Sequence, residues 1–178
     1  MQPPPFPAGP FQPPLDIDQR ICEQMIAEVE AAPKLLRECV AKLTAAELDT
    51  KYKNWTIRQI VHHLADSHVN SYVRFKWALT EETPTIKPYD EGKWAELADS
   101  RTGDIGPALA ILEGLHQRWV QLLRSMTMEQ FSRAFFHPET GQTVSLASAL
   151  CYYVWHAKHH TGQIQWLQNE KGLAKAGR

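Results

Sequence analysis

"NWTIRQIVHHLADSHVNSYVRFKWALTEE", residues 54–82, contains neither proline nor glycine and opens on a residue able to cap a helix, Asn54 or Thr56. At about 100° per residue, Ile57, Val61, Leu64, His68, Phe75 and Leu79 fall on one stripe, so the segment reads as an amphipathic helix. Beside that stripe runs a second line: Thr56, Gln59, His63, Ser67, Asn70 and Arg74. A helix face turned to water favours Glu and Lys. These side chains are mostly short and neutral, so the line reads as a polar seam facing a pocket.

Three more helical segments surround this one. "DIDQRICEQMIAEVEAAPKLLRECVAKL" repeats apolar residues every three or four positions, with Pro33 expected to kink or divide it. "DIGPALAILEGLHQRWVQLLRSM" is a further long helix that tolerates Pro107 in its first turn. Ser145 caps a last helix that runs to about Glu170 and is stopped by Gly172. "TPTIKPYDEGKW" is a loop, and "FFHPETGQTVS" a turn region with room for a short extended piece. No segment alternates convincingly with period two. The expected fold is all-α, a four-helix bundle over residues 16–178, preceded by a proline-rich arm at residues 1–15. The stretch "MQPPPFPAGPFQPPLD", residues 1–16, which holds that arm and ends on Asp16, carries seven of the 12 prolines and cannot be helical. Phe6 and Phe11 give it apolar anchors, so it is expected to pack on the bundle or on a partner subunit.

Composition narrows the function. A chain of 178 residues with 43% hydrophobic and 22% charged side chains fits one globular domain. The net charge is −1 with no basic run, which argues against nucleic acid as a partner. No apolar stretch suits a membrane span, and the start lacks the layout of a signal peptide. Three scattered cysteines without a CxxC argue against a disulfide framework or a thiolate zinc site and suit a reducing cytoplasm.

The last helix carries "YYVWHAKHHTGQIQWL", residues 152–167. Its apolar face holds Leu146, Ala149, Leu150, Tyr153, Ala157, Ile164 and Leu167, and His156 and His160 lie at one edge of it, four residues apart. One such pair is weak evidence, because a random chain of this histidine content shows roughly 0.3–0.4 of them. One histidine from the second helix added to this pair gives three nitrogen donors inside a bundle. Three protein ligands and an open position describe catalytic rather than structural zinc. His62 and His159 point away from these lines and are expected at the surface, while His116 and His137 have no partner at a diagnostic spacing. The residues between His156 and His160 are Ala157, Lys158 and His159, so the HExxH peptidase mechanism is excluded. Asp66, one turn beyond His63, is the candidate base, and Gln59, Asn70 and Arg74 are candidates to hold a polar or anionic substrate.

With "LHQRWVQLL", "FFHPETGQTVSL" and "YVWHAKHH", the stretch from Asn54 onward resembles the DinB-like superfamily, specifically its YfiT/BstA group of metal-dependent hydrolases. The resemblance spans nearly the whole chain. It implies one divalent metal per chain, zinc or alternatively nickel, held by His63, His156 and His160. It further implies a homodimer and a small-molecule substrate. Members of the wider superfamily transfer low-molecular-weight thiols such as bacillithiol. The expected function is therefore small-molecule chemistry at a metal-bound water or thiol, as a hydrolase, with a thiol S-transferase or a non-catalytic metal-binding bundle as alternatives.

Overall fold

The computed structural model describes residues 2–14 and 16–174. Residues 1 and 15, at the ends of the expected arm, and 175–178, at the end of the expected domain, lie outside the described residues. The chain forms α1 (Gln19–Val40), α2 (Ala45–Leu48), a hairpin of β1 (Lys51–Tyr52) and β2 (Trp55–Thr56), and α3 (Ile57–Thr80). It continues through α4 (Glu91–Ala95), α5 (Ala98–Thr102), α6 (Ile105–Ser125) and α7 (Met128–Ser132). A second hairpin, β3 (Ala134–His137) with β4 (Gln142–Ser145), leads into α8 (Leu146–Lys171).

The four long helices are those read from periodicity, and they close a ring: α1 packs on α8, α8 on α3, α3 on α6, and α6 on α1. Thr56 rather than Asn54 caps α3, through a capping box with Gln59. Ser145 caps α8, and Gly172 ends it in the left-handed conformation at φ 65°. Pro33 does not divide the first helix, since α1 runs unbroken through it. The hairpins are the departure from a purely helical reading. Their strands are two and four residues long, too short for a period of two to register in sequence.

The core is in two parts. Trp119, Phe75, Leu146 and Leu150 centre one apolar cluster. Leu36, Ile57, Ile60, Leu64, Ile164 and Leu167 belong to the other. Along α3, α6 and α8 buried histidines separate the two clusters: His68, His116, and His156 with His160, while buried His63 sits beside Leu64 within the second cluster. Apolar packing thus brackets a polar layer that crosses the bundle, and those rings must find partners inside the protein.

Two aperiodic segments cover faces that the helical pattern alone would leave to water. The proline-rich segment lies along α8, with Phe6 against Trp155 and His159, and Phe11 edge-on to Tyr152 and tilted against Trp155. Trp155 Nε1 donates to the Gly9 carbonyl at 2.8 Å, and Tyr52 Oη donates to the Pro4 carbonyl. Gly162 permits the approach, because a Cβ there would stand 3.1 Å from Pro7 Cβ. The other cover is the α4–α5 region. Buried Arg58 on α3 binds Asp49 at 3.0 Å and the carbonyls of Gly103 and Ala45 at 2.8 and 3.3 Å. His62 and His159, expected at the surface, are therefore both buried. His62 lies in the field of Asp99 and Asp104, and His159 stacks on Trp155 beneath Phe6.

Candidate metal centre

Helix geometry sets the first two donors: His156 and His160 are one turn apart on α8, with ring centroids 4.5 Å apart. α3 brings His63 to them across 93 residues of chain, and its Nε2 lies 3.1 Å from His156 Nε2. One ligand-capable nitrogen from each of the three rings lies within 4.8 Å of the others. Two imidazole nitrogens bound tetrahedrally to zinc at about 2.0–2.1 Å would be about 3.3–3.4 Å apart, so the pocket is nearly preset for such an ion.

Electrostatics agree with that donor set. Burial, followed by the field of His159, pushes His63 down to about 4. Burial and the neighbouring rings hold His156 and His160 well below the ordinary histidine value. All three rings are neutral at pH 7, the form that donates a lone pair to a metal. Gln163 Oε1 accepts from His160 Nδ1 at 2.9 Å, so the bare nitrogen of that ring is Nε2. Gln163 Nε2 in turn donates to His159 Nε2 at 3.0 Å. Trp55, at the foot of α3, packs its ring 4.6 Å from His63 and stacks over His160 at 6.2 Å.

The carboxylate beside the cluster is Glu91 on α4, its Oε2 4.0 Å from His63 Nε2. Desolvation on the side facing the protein, then Asp90 and Glu139, raises its pKa above the usual carboxylate value, although the side chain stays 63% exposed. Burial, then the field of Asp99, raises Asp66 to about 6. Gln59 is committed to the fold: it accepts from the Thr56 N–H at 2.9 Å and donates to the Ala95 carbonyl at 2.8 Å and to Glu96 at 3.2 Å. Asn70, half-buried, donates to the Asp66 carbonyl at 2.9 Å. Arg74 is only 8% exposed, and its Nη1 donates to Tyr153 Oη at 3.1 Å rather than to a carboxylate. Burial, then Arg74, depresses His137 on β3, a half-buried ring whose Nδ1 is enclosed without a hydrogen-bond partner.

Sequence reasoning missed Glu91, which opens the five-residue helix α4 in a stretch read as a loop, too short for a face to be assigned. It also missed His116, whose partner His68 lies 48 residues away. Gln163 was findable, since it follows His160 and His159 by three and four residues on one helix.

A four-helix ring with buried imidazoles meeting between α3 and α8 defines a class, and the family model agrees: the chain belongs to the DinB superfamily, matched over residues 28–164. Within it the chain is 47% identical over 169 residues to YfiT of Bacillus subtilis, named a "putative metal-dependent hydrolase", across 94% of this chain and 95% of that one. A Bacillus licheniformis relative of the same description is 48% identical over 162 residues, 90% of this chain and 92% of the other. The solved structure of YfiT, described as having an unusual four-helix bundle topology, superposes with a TM-score of 0.92 at 46% identity, over 95% of this chain and 98% of that one. A mycothiol-dependent maleylpyruvate isomerase shares the fold alone, with a TM-score of 0.60 and 20% identity over 78% of this chain and 60% of that one. Among the described residues no helix is long and apolar enough to cross a membrane.

Proposed function

We propose that this protein is a metal-dependent hydrolase of a small molecule, with His63, His156 and His160 holding one divalent ion, zinc in preference to nickel. The observation that carries the reading is the meeting of three buried, neutral imidazoles from two helices, their nitrogens within 4.8 Å of one another. The donor set fits zinc: three neutral nitrogens leave a coordination position open. Once bound, such an ion supplies Lewis acidity, polarising a substrate carbonyl and acidifying a water or thiol toward neutral pH.

The chain's own residues would do the rest. Glu91 takes a proton from the attacking nucleophile at Oε2, a role for which its raised pKa and its place beside His63 suit it. Asp66 is the weaker candidate for that task, because the carboxylate in contact with the cluster is that of Glu91. Arg74 is a buried guanidinium with no carboxylate partner among the described residues, so it would hold an anionic group of the substrate together with Tyr153, and Asn70 would border that end. Gln59 would act indirectly, by fixing α3 to α4. Trp55 would cover the reacting centre and limit water entry. Residues 16–178 form the metal-binding unit in this reading and residues 1–15 its arm. The working form is a homodimer in the cytoplasm, a location that suits three buried free cysteines.

The test is reconstitution with zinc, elemental analysis, and a screen of carboxylate-bearing esters and amides beside a thiol paired with an electrophile. One zinc per chain and hydrolysis of an ester or amide are expected. Turnover of the thiol pair alone would replace the hydrolase with a thiol S-transferase. Bound metal with no turnover would leave a storage or sensing bundle, and failure to hold stoichiometric metal would overturn the whole reading.

A further inference from the structure

Pro33 lies inside α1 and has no N–H, so the carbonyl of Val29, one turn earlier, lacks its helical donor. That carbonyl instead accepts from Nδ1 of His116 on α6 at 2.6 Å. A carbonyl only accepts, so the proton of His116 is on Nδ1. Burial pushes His116 down to about 4, so at pH 7 the ring is neutral and has a single N–H. Its Nε2 is therefore bare, and it lies 2.8 Å from His68 Nδ1, which must donate. The same reasoning leaves His68 Nε2 bare, and it lies 3.4 Å from His156 Nδ1. His156 then donates at Nδ1 and is bare at Nε2, the nitrogen that faces His63. One freed backbone carbonyl thus orients three neutral rings in sequence.

We infer that His68 and His116 are positioning residues: anchored on the Val29 carbonyl, they set the tautomer of His156 so that its bare Nε2 points into the three-histidine centre. The use of that nitrogen rests on the metal reading above, but the tautomer does not. Ordinary packing of buried aromatics would be met equally well by phenylalanine. His68 and His116 stack at 5.0 Å beside Trp119, and a phenyl ring fills that space. With His116→Phe, however, the His68 Nδ1 proton loses its acceptor. The cheaper state then moves that proton to Nε2, aims it at His156 Nδ1, and drives the His156 proton onto Nε2. That proton blocks the lone pair a cation needs. His116→Gln keeps an amide N–H for Val29 and a carbonyl for His68, and so preserves the direction of the chain.

The experiment uses the full chain, metal-free, with 15N-labelled histidine at pH 7. Long-range 1H–15N correlations report which nitrogen of each ring carries the proton. The expected result is a protonated Nδ1 and a bare Nε2 on His116, His68 and His156; a protonated Nε2 on His156 overturns the inference. Zinc affinity, read against a competing chromophoric chelator, is the second arm. His116→Phe is expected to weaken binding 10- to 100-fold and His116→Gln to recover most of it. Wild-type affinity in the phenylalanine variant, or equal losses in both variants, overturns the inference. If the phenylalanine variant does not fold, the wild-type spectra decide. Wild-type protein that binds no zinc would defeat the metal reading, while the spectra still decide the tautomer.

Discussion

His160 has one face on the other two rings of the cluster and one nitrogen on Gln163, so its removal separates metal binding from folding. His160→Ala should abolish stoichiometric zinc, because two ligands hold an ion far more weakly than three, while circular dichroism keeps most of the helical signal. Glu91→Gln should leave zinc content intact and cut kcat by roughly 10²–10⁴-fold, the range of a lost general base, as read from steady-state rates. Acid should weaken the metal-free fold through the buried rings. His116 titrates at about 4 when folded against 6.5 when unfolded, so between those values the unfolded chain binds a proton that the native protein refuses. Stability is therefore full above about pH 6.5 and is lost as pH falls toward 4, by on the order of 3 kcal/mol for this ring alone. Urea midpoints at pH 7.5 and pH 5 measure that slope, and a flat profile would contradict the burial argument. Of the residues in these tests, His160 was legible in sequence, because its spacing from His156 is a property of a single helix. Glu91 and His116 were not, since each gains its meaning from a neighbour distant in sequence.

Among the elements, the proline-rich arm contributes by contact rather than by regular structure. Phe11 and the hydrogen bond from Trp155 to Gly9 contribute more than Phe6, which stays 47% exposed. Deleting residues 1–14 should cost roughly 2 kcal/mol, from lost aromatic pairs and the uncovered face of α8. For a chain of this size that corresponds to a drop of about 4–8 °C in Tm by calorimetry. His159 would be uncovered by the deletion, whereas His156 and His160 face the bundle and should keep their metal. The arm's docking partner could not be read from its composition, because proline and phenylalanine restrict and anchor a segment without naming a surface. The helices behaved differently. Thr56, Ser145 and Gly172 mark ends that local backbone chemistry dictates, and the structure puts the ends there.

At the scale of the whole molecule, the histidine layer splits the core into two apolar clusters, and an ion bound in that layer would tie α3 to α8. Because the unfolded chain lacks the assembled site, zinc should stabilise by mass action. Free zinc at about 100 times its Kd adds about 2.7 kcal/mol, or about 5–10 °C in Tm for a domain this size. Excess chelator should return the melting curve to its starting point, and a Tm indifferent to zinc would mean that the ion is not bound by the native state.

The sequence by itself determined the four long helices, their capped ends, the faces they bury and the pairing of His156 with His160. All of these follow from periodicity and capping, which act within a few residues along the chain. Only the tertiary structure decided what covers those faces and which distant groups meet. It buried His62 and His159 under aperiodic segments, brought Glu91 beside His63, and ran hydrogen bonds from the Val29 carbonyl through His116 and His68 to His156. The physical reason is range. A helical repeat restricts each residue relative to its own turn, while contacts between helices and under loops depend on the path of segments that carry no repeat.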